Sequence, residues 1–206
     1  MVGCRTIVVT MPIHQNPDET DRGMQHCSWL NENYDNIKSL NIDLTDVYEQ
    51  FINILPEKLT NPLALANTRA RIRMSTLYMI SGNSNGIVVG TGNKVEDFGI
   101  GFFTKYGDGG VDISPIADLM KSEVYDLGKK LNIIDLIINA RPTDGLWDDG
   151  RTDEDQLGIS YDELEWAMQY NGEEIDAKQK EILNIYNKHR NANLHKMKDI
   201  PIFKKK

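Results

Sequence analysis

The sequence predicts an α/β fold with a doubly wound parallel sheet and helices on both faces. Segments rich in β-branched residues alternate with segments of helical periodicity. Residues 86–90 form an apolar run bounded by glycines, which is typical of a parallel strand buried on both faces. Polar side chains crowd the residues that follow this run. Because open α/β sheets bind ligands outside the carboxyl ends of their strands, the segment after residue 90 is the first candidate site.

The first half of the chain predicts strands and helices in alternation. β-Branched content indicates the strands, and apolar periodicity with capping residues such as Asp43 and Thr45 indicates the helices. The predicted elements are a strand at 5–11, a helix at 21–33, a strand at 37–44, a helix at 47–54, a helix at 64–80 and the strand at 87–91.

The second half predicts mainly helices. Residues 145–155 form a loop crowded with carboxylates, and residues 160–164 resemble a capping box that opens a helix. The other predicted elements are a helix at 121–131, a segment at 133–138 that could be helix or strand, and a helix at 175–189. Because there are no repeats, low-complexity tracts or clear linkers, we expect residues 1–206 to form a single domain.

Composition narrows the class of protein. The 206 residues are 40% hydrophobic, which is enough for a core, and the net charge of −8 gives no basic footprint for nucleic acid. There is no apolar run long enough for a membrane span and no signal peptide pattern. Cys4 and Cys27 have neither the number nor the spacing of a disulfide framework or a metal site, which favours two reduced thiols in a cytoplasmic protein.

The segment from Thr91 to Asp112 carries side chains of several chemical kinds within 22 residues. Hydroxyl, amide, ammonium and carboxylate groups are all present, and interspersed glycines allow the backbone to approach a ligand closely. The polar members are Thr91, Asn93, Glu96, Lys105, Asp108 and Asp112. A solvated connecting loop is the simpler alternative, although such a loop does not need this mixture.

Five motifs together resemble the ammonia-dependent NAD synthetase family, of the N-type ATP pyrophosphatase class. They are ARIRM (70–74), GTGNKVE (90–96), GFFTKYGDGGVD (101–112), PTDGLW (142–147) and DEDQLGISYDELE (153–165). The resemblance extends from about Val8 to the C-terminal tail. It implies an adenine nucleotide alpha hydrolase-like fold and ATP-dependent amidation of deamido-NAD with ammonia. An adenylated intermediate, release of AMP and pyrophosphate, Mg²⁺ and a homodimer are also implied. The Leu and Met residues of the predicted helix at 64–80 make that helix a candidate interface element.

This chemistry asks little of side-chain acids and bases, since ATP activates the carboxylate. We therefore assign no catalytic side chain, and expect cations, a metal carboxylate and backbone groups to bind the phosphates. Nothing in the sequence indicates a Ser/His/Asp arrangement or a zinc site.

The resemblance implies that Glu96 binds Mg²⁺ and that Thr91, Lys121 and Thr143 bind ATP. In the alternative interpretations, Glu96 is a surface residue at a helix start and Thr91 is an ordinary strand residue. Lys121 is then an exposed helix lysine, and Thr143 is a turn residue after Pro142. For Lys121 the sequence itself favours a phosphate ligand. A cation is unfavourable at a helix N-terminus, and a phosphate partner would offset that misfit.

The resemblance also implies eight residues for deamido-NAD: Arg71, Phe102, Lys105, Asp112, Asp153, Glu154, His195 and Lys196. In the alternative interpretations, Phe102 is a core residue, residues 153–154 belong to a solvated acidic loop, and residues 195–196 belong to an inert polar tail. Because three arginines at alternate positions cannot share one helical face, Arg69 or Arg73 is expected to be a structural salt-bridge partner.

The pattern departs from the family in one respect: no Ser-Gly-Gly-x-Asp-Ser motif occurs in the sequence. In the family, the backbone of that loop holds the ATP pyrophosphate. We expect the domain to be N-terminally truncated relative to the family, with an exposed sheet edge, and this polypeptide alone to have little or no synthetase activity. A catalytically inactive dinucleotide-binding remnant, or another ligase of the same class, are the alternatives.

Overall fold

A computed structural model describes residues 3–147 and 149–205. Its elements, in chain order, are β1 (Thr6–Thr10), α1 (Pro17–Asn33), β2 (Ile37–Asn41), α2 (Thr45–Asn53), a 3₁₀ turn (Glu57–Leu59), α3 (Pro62–Ser84), a π-helix (Lys94–Ile100), α4 (Lys121–Lys130), α5 (Asp135–Ile138), α6 (Asp153–Leu157), α7 (Tyr161–Gln169) and α8 (Ala177–Met197). None of the helices within these ranges is both long and apolar enough to cross a membrane.

Strands β1 and β2 form a parallel ladder, with Thr6 opposite Ile37 and Thr10 opposite Asn41. Parallel strands need a crossover, and helix α1 supplies it while packing against both strands. Asn16 opens α1 by accepting a hydrogen bond from the Asp18 amide at 2.9 Å. The predicted β–α–β unit is confirmed, and the cap and Pro17 start the helix four residues before the predicted position.

The predicted strand at 87–91 is present only as a single parallel bridge between Val89 and Ile113. Among the described residues, no ladder joins this bridge to β1 and β2. Val88 is 5% exposed, whereas Ile87 is 58% and Val89 is 51% exposed. The prediction of burial on both faces was therefore wrong. A run of apolar residues indicates an extended segment, but which of its faces is covered depends on neighbours that are distant in sequence.

The helical predictions in the second half are confirmed. The undecided segment at 133–138 contains the short helix α5. The capping box is present at α7, where the Ser160 hydroxyl accepts from the Glu163 amide at 3.2 Å and the Glu163 carboxylate accepts from the Ser160 amide at 3.2 Å. Helix α8 continues to Met197, eight residues beyond the predicted end.

The π-helix was not predicted, and its local cause is Asn93. The buried Asn93 side chain accepts hydrogen bonds from the amides of Val95 and Glu96, at 3.0 and 3.1 Å. The helix ends at Gly101, whose φ of +67° is a left-handed conformation that favours glycine. π-Helices are rare and occur frequently at functional sites.

The larger apolar core joins the π-helix to the C-terminal helices. Its fully buried members include Val95, Ile100 and Leu164, and Ile182 brings α8 onto the same cluster. A second, smaller cluster lies under α2 and is centred on Ile13. The first cluster therefore holds the segment after residue 90 against the C-terminal third of the chain.

Replacing Leu164 by alanine should destabilise the protein by about 2 to 5 kcal/mol, because Leu164 is fully buried and the change leaves a cavity in the core. Urea denaturation followed by circular dichroism measures this loss. The matched control is Leu63→Ala on α3, where the side chain is 61% exposed and a change within about 0.5 kcal/mol is expected. Equal effects at the two positions would contradict the proposed core.

The carboxyl group of Asp97 should make stability depend on pH. Burial, together with smaller contributions from the nearby charges of Asp108 and Glu96, raises its pKa to about 7. Because its pKa is raised in the folded state, the protonated Asp97 carboxyl group favours folding. This contribution to the free energy of unfolding is present at low pH and is lost as the pH rises from about 4 to about 7.

We expect Asp97→Asn to remove this loss. After allowance for solvent screening, the variant should gain about 1 to 2 kcal/mol over the unsubstituted protein at pH 8, and less at pH 5. Denaturant unfolding of both proteins at the two pH values measures the difference. A gain of the same size at pH 5 and pH 8 would show that Asp97 does not titrate in this way.

Candidate functional site

A cavity of about 550 Å³ lies beside the polar segment. It is bordered by α3, the end of the 88–91 segment, the loop after the π-helix, the loop at 144–147 and the last turns of α8. Three of the predicted binding residues line it: Thr91, Phe102 and Lys196. The lining is largely apolar with a few polar groups, and the volume lies within the range of small-molecule and cofactor sites.

A second cavity of about 300 Å³ adjoins the first. Lys105 and Tyr106 line it, and Phe103 and Lys196 border both cavities. The Lys105 ammonium lies 5.5 Å from the centre of the Tyr106 ring. An elongated ligand that occupies both cavities would therefore pass Phe103 and Lys196.

Glu96 lies in the π-helix at the centre of a polar cluster that we call the Glu96 cluster: Glu96, Lys121, Asp153 and Tyr161. The Lys121 ammonium donates to Glu96 Oε1 at 2.7 Å, and the Tyr161 hydroxyl donates to the same oxygen at 2.6 Å. The side chains of Glu96 and Lys121 are only 16% and 18% exposed. The helix N-terminal misfit of Lys121 is thus offset here by Glu96.

Asp153 joins this cluster through Tyr161, whose hydroxyl lies 3.0 Å from Asp153 Oδ2. Asp153 is 6% exposed, and its Oδ1 is buried without a hydrogen-bond partner among the described residues. Burial, with smaller contributions from the charges of Glu96 and Asp144, raises the pKa of Asp153 to about 6. The alternative of a solvated acidic loop was wrong, because Asp153 begins the short helix α6 and points into the protein.

The donor set of the Glu96 cluster fits a hard cation. Mg²⁺ binds oxygen ligands, often from one or two carboxylates that are completed by water and substrate phosphates. Glu96 offers a carboxylate with few solvent contacts, and Asp153 retains an unpartnered buried oxygen. Within residues 3–147 and 149–205, no group of three or more His, Cys, Asp or Glu side chains forms a complete metal site. The residues therefore fit a shared, substrate-completed Mg²⁺ site.

The three arginines of α3 have different surroundings. Arg73 donates to the Met11 carbonyl at 2.9 Å and to the Gln15 side chain at 3.0 Å, and Arg69 donates to the Leu146 carbonyl at 3.2 Å. Both arginines therefore make hydrogen bonds that link α3 to other parts of the chain, which is a structural role, as expected of at least one of them. Arg71 is exposed, and its guanidinium donates to the Lys105 carbonyl at 3.3 Å.

His195 and Lys196 lie in the last turn of α8, so the alternative of a polar tail was wrong. The Lys196 ammonium donates to the carbonyls of Gly101 and Phe103, at 2.9 and 2.7 Å, and burial lowers its pKa. The Lys105 ammonium donates to the His195 carbonyl at 2.8 Å. These bonds fasten the end of α8 to the loop after the π-helix.

Three other predicted residues have structural partners. Asp112 accepts from the Val88 amide at 2.7 Å and from the Tyr78 hydroxyl at 3.1 Å, which ties the 88–91 segment to α3. Glu154 accepts from the Tyr161 amide at 2.9 Å and so supports the start of α7. Thr143 donates to the Arg151 carbonyl at 3.1 Å and shapes the loop before α6.

The predicted residues thus fall into groups and do not surround one cleft. Glu96 and Lys121 meet in the Glu96 cluster; Phe102, Thr91 and Lys196 line the larger cavity; Lys105 lines the smaller one. Asp112 and Thr143 line neither cavity.

Sequence reasoning missed Tyr161 and Asp97. Tyr161 directly follows the recognised capping serine, but nothing in the local sequence distinguishes a buried tyrosine from an exposed one at the first helical position. Asp97 packs beneath Gly92, where an added Cβ would lie 1.8 Å from Asp97 Oδ2. The glycine between Thr91 and Asn93 was the available signal for such a close approach.

Comparisons with known proteins agree on one family. Residues 3–206 match the family model described as NAD synthase. The chain is 40% identical over 185 residues to the NH(3)-dependent NAD(+) synthetase of Alkaliphilus metalliredigens, covering 87% of this chain and 72% of that protein. It is 39% identical over 168 residues to the synthetase of the same name from Carboxydothermus hydrogenoformans, covering 78% of this chain and 65% of that protein.

Solved structures give the same picture. NMN synthetase from Francisella tularensis superposes with a TM-score of 0.85 at 33% identity, covering 97% of this chain and 79% of that one. NH3-dependent NAD synthetase from Campylobacter jejuni superposes with a TM-score of 0.74 at 27% identity, covering 96% and 78%. The predicted α/β fold class is thereby confirmed, and the chain belongs to the NAD synthase family.

Proposed function

We propose that this chain belongs to an enzyme that amidates deamido-NAD with ammonia and ATP to give NAD, AMP and pyrophosphate. The observation that carries the proposal is the match of residues 3–206 to the NAD synthase family, in a structure whose Glu96 cluster and cavities suit a cation, phosphates and a nucleotide. The proposed setting is the cytoplasm, and no nucleic acid or membrane partner is included in the proposal.

Amide formation proceeds in two steps. The nicotinate carboxylate oxygen of deamido-NAD attacks the α-phosphorus of ATP, and the bond to pyrophosphate breaks. Ammonia then attacks the carbonyl carbon of the acyl-adenylate, loses a proton, and the bond to AMP breaks. Both steps gain mainly from holding the reactants in line and from cations near the phosphates, which is consistent with the absence of an assigned catalytic side chain.

We assign the ATP and cation sites to the side chains around the π-helix. Glu96 would hold Mg²⁺, which when bound neutralises phosphate charge. Lys121 would contact ATP phosphate, and Thr91, at the edge of the larger cavity, would contact the nucleotide. Thr143 is retained as an ATP residue on the family resemblance alone, since its hydroxyl bonds within its own loop. Lys121 would change partner from Glu96 to phosphate when substrate binds.

We assign the acceptor site to the two cavities. Phe102 and Lys196 border the larger cavity and Lys105 borders the smaller one, so an extended dinucleotide could contact all three. Arg71 contacts the Lys105 carbonyl from α3. The remaining assignments rest on the resemblance alone: Asp112, Asp153, Glu154 and His195.

Calorimetric titration with deamido-NAD tests the acceptor site. We expect Lys105→Ala to weaken binding about tenfold, because one charge-assisted contact to the ligand's pyrophosphate is lost, a difference of about 1.4 kcal/mol. The matched control is Lys178→Ala, which removes an exposed lysine that pairs with Glu163. Equal weakening by both variants would point to long-range charge and not to a contact at Lys105.

The sequence contains no Ser-Gly-Gly-x-Asp-Ser segment to hold the ATP pyrophosphate. We therefore expect deamido-NAD to bind while these 206 residues alone give little or no NAD in an assay with ATP, Mg²⁺ and ammonia. Normal turnover would contradict this expectation. Binding without any turnover is also the result that the alternative of a dinucleotide-binding remnant predicts.

A second acceptor is suggested by the Francisella tularensis structure, which is named NMN synthetase and superposes better than the NAD synthetase from Campylobacter jejuni. A synthetase of NMN forms the same nicotinamide bond on a mononucleotide. The discriminating measurement is a parallel titration with deamido-NAD and nicotinate mononucleotide. Tighter binding of the mononucleotide would replace the dinucleotide as the proposed acceptor.

We also propose a homodimer in which α3 forms part of the interface. The Met79 side chain on α3 is 70% exposed, and an exposed apolar group of this kind suits a partner surface. Met79→Glu should shift sedimentation from dimer to monomer, because a charge would be buried unpaired. Met24→Glu on α1, where the side chain is 47% exposed, is the control and should leave the dimer intact. A monomeric unsubstituted protein would refute the dimer.

A further inference from the structure

Tyr161 is the residue that joins the carboxylates of the Glu96 cluster. It is the first residue of α7 and only 8% exposed. Its hydroxyl lies 2.6 Å from Glu96 Oε1 and 3.0 Å from Asp153 Oδ2. The two carboxylates are therefore within two hydrogen-bond lengths of each other, with the phenol oxygen between them.

The shorter of these two contacts identifies the principal acceptor. A phenol has one proton to donate, and distances near 2.6 Å are typical of a hydroxyl bonded to an ionised carboxylate. The hydroxyl is therefore directed at Glu96. The bond fixes one oxygen of Glu96, and the same oxygen also receives the Lys121 ammonium.

Tyr161 is itself held in place at three points. Its amide donates to the Glu154 carboxylate at 2.9 Å, its ring belongs to the larger apolar core, and the Lys121 ammonium lies 4.7 Å from the ring centre. The Ser160 cap fixes the backbone immediately before it. A donor anchored in this way loses little freedom when it orients another side chain.

We propose that Tyr161 is a positioning residue for the cation site, and that its hydroxyl holds the Glu96 carboxylate in the orientation that binds the metal ion. The proposal rests on the proposed function, which assigns the cation to Glu96. Carboxylates that ligate metals are commonly oriented by such outer hydrogen bonds, and removing one typically lowers metal affinity 10- to 100-fold. Without the hydroxyl, the Glu96 carboxylate would retain Lys121 as its one hydrogen-bond partner within residues 3–147 and 149–205.

Tyr161→Phe tests this role, because it removes one oxygen and keeps the ring under Lys121. We expect Mn²⁺ affinity, measured by the loss of the free-ion paramagnetic resonance signal, to fall about 10- to 100-fold. Tyr170→Phe is the matched control, since it removes a tyrosine hydroxyl that bonds to the Glu173 carbonyl outside the cluster. Glu96→Gln removes the metal-binding carboxylate itself, so its loss of Mn²⁺ affinity is the largest expected.

Thermal unfolding of every variant is recorded first, and binding is compared only below the lowest midpoint. Tyr161→Phe binding Mn²⁺ as tightly as Tyr170→Phe would overturn the proposal and leave the proposed function standing. If Glu96→Gln also binds like the unsubstituted protein, or if the unsubstituted protein binds no Mn²⁺, the cation site at Glu96 fails and the proposal fails with it. A selective loss in Tyr161→Phe and Glu96→Gln supports both.

Discussion

The ion pair between Glu96 and Lys121, together with the Tyr161 hydroxyl bonded to the same oxygen, joins three separate elements of this molecule. Glu96 belongs to the π-helix, Lys121 is the first residue of α4, and the Tyr161 hydroxyl adds the start of α7 to the same oxygen. Both charged side chains are largely removed from solvent. Loss of either partner would leave an uncompensated charge in a poorly solvated place, so the pair constrains how these elements can move relative to each other.

The backbone around Glu96 is held by contacts that do not involve Lys121 or Tyr161. Asn93 accepts two amide hydrogen bonds and opens the π-helix, and the fully buried Val95 and Ile100 anchor the π-helix in the larger core. Glu96 is thereby turned from the core toward Lys121 and Tyr161. The charge therefore lies on a rigid support, which is the condition for a precise binding group.

A second set of contacts brings the C-terminal helix to the same region. Lys196 donates to the carbonyls of Gly101 and Phe103, and Lys105 donates to the carbonyl of His195. These bonds place cationic side chains beside both cavities. They also give hydrogen-bond donors to backbone carbonyls, which would be unpaired where α8 covers them. A phosphate-bearing ligand would compete with the carbonyls for these ammonium groups, which links ligand binding to the position of α8.

The sequence by itself determined the longer α-helices, the β–α–β unit and the residue types of the site, because periodicity, caps and motif spacing are local properties. It did not predict the π-helix or the short helix α6. It also indicated Glu96 and Lys121 as members of one site, through the family resemblance. Only the tertiary structure decided the partners. Tyr161 meets Glu96 across 65 residues and Lys105 meets His195 across 90. Burial of Asp153, exposure of Val89 and the bond from the Val88 amide to Asp112 depend on such contacts, which no local pattern encodes.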